Sequence, residues 1–78
     1  MIPDVQARPL SGVGAGETVT IVAVNAGQGL RSRLAAMGLM PRTQIKVINN
    51  GHPGPFVVGV KNSRMMLGRG MADKILVR

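Results

Sequence analysis

The fold of this chain is decided by the stretch Gln44-Ile45-Lys46-Val47-Ile48-Asn49-Asn50-Gly51-His52-Pro53-Gly54-Pro55-Phe56-Val57-Val58-Gly59-Val60-Lys61-Asn62-Ser63-Arg64-Met65-Met66-Leu67. At its start Ile45 and Val47 fall on one face of an extended chain and Lys46 on the other, the period-two pattern of a half-buried strand. Asn50-Gly51-His52-Pro53-Gly54 gathers residues that favour turning. A second strand is expected over residues 55–62, with Phe56, Val58 and Val60 alternating against Val57, Gly59 and Lys61. Asn62-Ser63 allows a tight turn into a third strand, Arg64-Met65-Met66-Leu67.

Outward from this stretch toward the C-terminus, residues 68–73 are expected to form one helical or 3₁₀ turn, and Lys74-Ile75-Leu76-Val77-Arg78 a final strand. Toward the N-terminus the period changes. Leu30, Leu34 and Met37 are spaced i, i+4, i+7 and share one helical face, while Arg31, Ser32 and Ala35 fall elsewhere on the wheel. Gly38 suits a left-handed C-terminal cap, and Pro41 follows closely, so the helix stops there. A helix of two to three turns does not persist alone in water and needs a sheet to lie on. Leu34 and Met37 are therefore read as core. Before the helix, Ala26-Gly27-Gln28-Gly29 is a flexible connection, and residues 17–25 are rich in β-branched side chains that suit a strand. Residues 11–16 hold three glycines and read as a loop. Residues 1–8 are read as an N-terminal arm and 9–78 as the folded domain.

These elements predict a mainly β fold: a small SH3-like barrel of about five strands with one short helix after the first strand. Closing the sheet is expected to deal with exposed strand edges. The 78 residues allow one domain, with no internal repeat and no low-complexity tract. There is no cysteine, which excludes disulfides and thiolate zinc sites, and Phe56 is the one aromatic residue. The core must therefore be aliphatic, with six Met available to it. The N-terminus carries no secretory pattern and no apolar run approaches the ~18 residues of a membrane span, so a cytoplasmic chain without membrane insertion is expected. Ten Lys and Arg against Asp4, Glu17 and Asp73 give a net charge of +7, a balance that favours anionic partners.

Two segments carry a resemblance. Leu34-Ala35-Ala36-Met37-Gly38-Leu39-Met40-Pro41-Arg42-Thr43-Gln44-Ile45-Lys46-Val47 resembles the central signature of the FeoA family, a helix running into Leu-Gly-Leu, then Pro-Gly, then an Ile-x-Val strand. Ser63-Arg64-Met65-Met66-Leu67-Gly68-Arg69-Gly70-Met71-Ala72-Asp73-Lys74-Ile75-Leu76-Val77 resembles its closing strand, Leu-Gly-Arg turn and Ile-x-Val strand. The likeness covers roughly residues 9–78. Where the family has Gly after the Pro this chain has Arg42, which weakens the case for a glycine conformation at that turn. The middle turn, Gly51-His52-Pro53-Gly54-Pro55, also departs from the family's usual type. The resemblance implies an SH3-like barrel and a role as a small cytoplasmic accessory of bacterial ferrous iron uptake, acting on the FeoB-type membrane GTPase transporter. It also implies that the partner could recruit the chain to the inner face of the membrane. The same fold occurs as an appended domain in iron-dependent repressors of the DtxR type. With no winged-helix segment ahead of it, the stand-alone accessory is the expected reading.

Chemistry-bearing groups are sparse. The three acids lie far apart in sequence, and His52 is the one side chain able to act as a base near neutral pH, so no enzyme and no cofactor are expected. His52 has no acid or second His close by and reads as a turn residue rather than a metal ligand. Gly12-x-Gly14-x-Gly16 precedes a strand instead of opening a helix, so it is not a phosphate-binding fingerprint. Partner binding is assigned to a groove formed by Arg31, Leu39, Met40, Met65, Met66 and Met71. Methionine adapts to partner surfaces, and Met65 and Met66, adjacent on a strand, cannot both point inward. If Arg31, Arg33, Arg42, Arg64, Arg69 and Lys74 share a face, they make a basic rim for an acidic partner or the anionic inner leaflet. The alternatives are a small basic nucleic-acid-binding barrel, opposed by the lack of aromatic platforms, and a self-assembling homo-oligomer.

Overall fold

The computed structural model describes residues 7–51 and 54–78, and His52 and Pro53 lie outside the described residues. Among the described residues six antiparallel strands form one sheet: β1 Arg8–Pro9, β2 Thr18–Val24, β3 Gln44–Asn50, β4 Phe56–Val60, β5 Ser63–Leu67 and β6 Ile75–Val77, in the order β1-β6-β2-β3-β4-β5. A 3₁₀ turn, Leu10–Gly12, follows β1; helix α1, Gln28–Ala36, follows β2; and the short helix α2, Arg69–Asp73, connects β5 to β6.

The alternation in β3 and β4 sets the inner face. Ile45, Val47, Phe56, Val58 and Val60 are all buried, while Lys46 is exposed. The sheet bends through two bulges, in which Val22 of β2 and Ile48 of β3 are the extra residues. A bulge bends its strand and increases the local twist, which lets a sheet this small coil around its own core. That core is wholly aliphatic apart from Phe56 and contains no buried polar side chain among the described residues. Leu34 of α1, Ala72 of α2, and Leu10 and Val13 from the N-terminal segment seal it, each fully buried.

The structure amends several expectations. The sheet has one strand more than expected, because Arg8 and Pro9 pair with Val77 and Leu76. Two residues with a proline among them carry no alternation, so this strand has no signature of its own. The segment expected as a loop contributes Leu10 and Val13 to the core, its 3₁₀ turn closed by the bond from Val13 N–H to the Leu10 carbonyl. Among the described residues β1 and β5 are the outer strands of this SH3-like sheet, and no ladder joins them.

Met37 was expected in the core and is 41% exposed. The helix ends at Ala36, and Met37 is already its cap. Gly38 then turns at φ +90°, and Gly38 N–H bonds the Ala35 carbonyl at 2.9 Å while Leu39 N–H bonds that of Leu34 at 2.8 Å. This paired ending is the Schellman motif, in which the second residue past the cap packs back on the last helical turn. Here that residue is Leu39, 1% exposed beside the fully buried Leu34, so Leu39 takes the place expected for Met37.

The candidate partner-binding groove

The same ending that buries Leu39 pushes Met40 out, to 45% exposure. A β-turn follows, closed by Thr43 N–H to the Met40 carbonyl at 3.1 Å. Pro41 stands second in the turn and Arg42 third at φ +75°, the arrangement of a type II turn. The family's glycine position therefore does demand a left-handed residue, and Arg42 adopts that conformation. Bonds from Arg42 N–H to the Ile21 carbonyl and from Ile21 N–H to the Thr43 carbonyl tie the turn to β2.

Between this turn, the end of β2 and helix α1 runs an open groove of about 610 Å³. Its helical wall is Gln28, Arg31, Ser32 and Ala35. The spacing i, i+3, i+4, i+7 makes these one continuous face, turned away from the face that carries Leu30 and Leu34. Ala23 and Val24 line the strand side, and Leu39, Met40 and Pro41 close one end. The surface is aliphatic with one exposed cation, Arg31, and two neutral hydrogen-bonding groups, Gln28 and Ser32.

Of the six residues assigned to partner binding, the structure brings together Arg31, Leu39 and Met40. Leu39 contributes from below as a core residue, so the exposed apolar contact falls to Met40. Met65, Met66 and Met71 lie elsewhere. Met65 and Met71 are half-buried against the core, and Met66, on the opposite face of β5 from Met65, is 70% exposed. The helical wall was missed in Gln28, Ser32 and Ala35, whose one visible signal was their shared position off the apolar face.

The cations separate likewise. Arg31 faces the groove, whereas Arg64 lines a different hollow with Lys46 and Lys61. Arg69 is a structural clamp. Its guanidinium donates to the Asn50 carbonyl, to Asn50 Oδ1 at 3.2 Å and to the Ser11 carbonyl at 3.5 Å, and lies 5.8 Å from the centroid of the Phe56 ring. Gly51 makes room for it, since a Cβ there would stand 3.0 Å from Arg69 Nη2. Asn50 continues the network by donating to the Val13 carbonyl, and Ser11 donates to Asp73. Glu17 accepts from Gly14 N–H at 2.7 Å and from Arg8 at 3.1 Å; the backbone bond, then Arg8, holds its carboxyl below the usual range. Among the described residues no three of His, Cys, Asp and Glu gather to hold a metal, and no helix is long and apolar enough to cross a membrane.

A protein of Methanocaldococcus jannaschii whose name proposes it as Fe(2+) transport protein A is 39% identical over 69 residues, covering 88% of this chain and 83% of its own length. A crystal structure described as an iron uptake regulatory protein, FeoA, superposes with a TM-score of 0.83 at 32% identity, over 95% of this chain and 97% of that one. A manganese-dependent transcriptional repressor superposes at 0.85 over 99% of this chain but 44% of its own, at 23% identity, and shares the fold. The FeoA domain pattern matches residues 8–78, from the first paired residue of β1 to the C-terminus, and the chain belongs to the FeoA domain family.

Proposed function

We propose that this chain is a cytoplasmic, non-catalytic accessory of ferrous iron transport that grips a segment of a FeoB-type membrane GTPase in the α1 groove. The observation that carries this reading is Met40, a large apolar side chain held out by the Schellman ending and the type II turn, beside Arg31 and over a floor of Ala35 and Leu39. Family membership and the relative whose name proposes Fe(2+) transport support the process. An amphipathic segment with an acidic group for Arg31 fits this lining.

The nucleic-acid reading loses support at Phe56, its one possible stacking platform, which is 3% exposed and lies beneath Arg69. The test is co-purification with the full membrane transporter at physiological salt. Met40→Asp and Arg31→Glu are expected to reduce retention at least ~tenfold, since buried interface anchors are worth ~2 kcal/mol or more, with melting temperatures close to the parent's. Undiminished retention of both variants, or salt-sensitive binding to nucleic acid in place of the transporter, overturns the reading.

A further inference from the structure

The outer face of β3–β4–β5 carries a second hollow, independent of the α1 groove. Register places Lys46, Gly59 and Arg64 in one row across the three strands, all on the outward face. Strands lie ~4.8 Å apart, so two cations flank a position that has no side chain. Ile48, bulged outward from β3, leans over it: a Cβ at Gly59 would stand 3.2 Å from Ile48 Cδ1. Lys61 and Asn62, in the β4–β5 turn, and Ser63 also line it. The hollow thus sets Ile48 and the bare Gly59 among three cations, with the polar Asn62 and Ser63 in its lining. None of the three forms an ion pair among the described residues, and the two described acids are engaged elsewhere, Glu17 with Arg8 and Asp73 with Ser11. The next row along is Asn49, Val57 and Met66, and Met66 is the most exposed large hydrophobic residue described.

β5 is also an outer strand of the sheet, with no strand beyond it among the described residues. An outer strand presents a row of backbone N–H and C=O groups that an extended chain can pair with, while side chains on alternate positions set specificity. We propose that β5 is a docking edge for an extended acidic segment of another protein, which adds as a further strand with an acidic residue beside Arg64 and an apolar residue two positions away beside Met66. Three uncompensated cations call for negative charge on the occupant. A second copy of this chain opposes that requirement, bringing its own +7 and the same three cations to the edge. An anionic bilayer satisfies the charge but leaves the strand's N–H and C=O groups without ladder partners.

The experiment titrates the full chain with a fluorescent peptide of alternating Glu and Val, beside the same peptide with Gln for Glu, and follows amide hydrogen exchange at residues 63–67. The Glu peptide is expected to bind saturably and slow exchange in β5, with the Gln peptide and the double variant Lys46→Glu/Arg64→Glu each at least ~tenfold weaker. Met66→Ser is expected to weaken binding severalfold. All the altered side chains are exposed, and thermal melting verifies folding. Equal binding of the two peptides, or protection outside β5, overturns the proposal. Binding only to phosphatidylglycerol vesicles replaces it with a membrane surface, and a concentration-dependent dimer mass with protected β5 replaces it with self-assembly.

Discussion

Arg42 holds a left-handed conformation, at φ +75°, that costs an L-residue ~1–2 kcal/mol. Glycine adopts it freely but loses more backbone entropy on folding, by ~0.5–1 kcal/mol. Arg42→Gly is therefore expected to raise stability by up to ~1.5 kcal/mol, the largest difference of these terms, measured by urea unfolding. A loss of stability would mean that the Arg42 side chain makes an interaction stronger than the strain. Leu39 and Met40 make the opposite pair. Truncating a fully buried leucine costs ~2–5 kcal/mol, and a domain of this size has ~4–12 kcal/mol in total. Leu39→Ala should thus unfold at markedly lower urea than the parent, whereas Met40→Ala should unfold near it.

At the scale of elements, the strands with clean alternation were legible in the sequence. Ile45 and Val47, then Phe56, Val58 and Val60, show their buried face directly, and the structure keeps every one of them inside. The helix was legible through Leu30 and Leu34, but its last apolar residue was not. Periodicity continues the helix to Met37, while the Gly38 cap ends it and swaps Leu39 in, a local hydrogen-bonding outcome that residue spacing does not encode. Arg69 read as a rim cation because its acceptors sit 58 and 19 residues away in sequence, at Ser11 and Asn50. The groove wall escaped notice because Gln28, Ser32 and Ala35 carry no chemistry until β2 and the type II turn stand opposite them.

The loop before β2 is tied to β1 by one carboxylate. Glu17 titrates below the ordinary carboxylate range because Gly14 N–H and Arg8 favour its charged form. A group whose pKa is depressed by folding contributes stability above its unfolded pKa and loses it as pH falls through the folded value. The parent is therefore expected to lose its advantage over Glu17→Gln as pH drops from neutral through the carboxylate range, read as converging urea midpoints. A gap that stays constant with pH would show that the bonds do not depend on the charge.

Over the whole molecule, one core, aliphatic but for Phe56, supports two separate surfaces: the α1 groove, with aliphatic side chains, Gln28, Ser32 and one cation, and the outer face of β3–β5, with three cations around Ile48 and Gly59. The net +7 charge visible in the sequence favours anionic partners but does not say where one would dock, since that depends on which cations the fold already uses. The proposed function requires that the transporter dock in the α1 groove. It is tested most directly by amide hydrogen exchange of this chain with and without the intact membrane GTPase in detergent. Docking there is expected to slow exchange across residues 28–41, from the helical wall through the turn, and the protection is expected to be lost in Met40→Asp. A stable complex that leaves the exchange of residues 28–41 unchanged would contradict it.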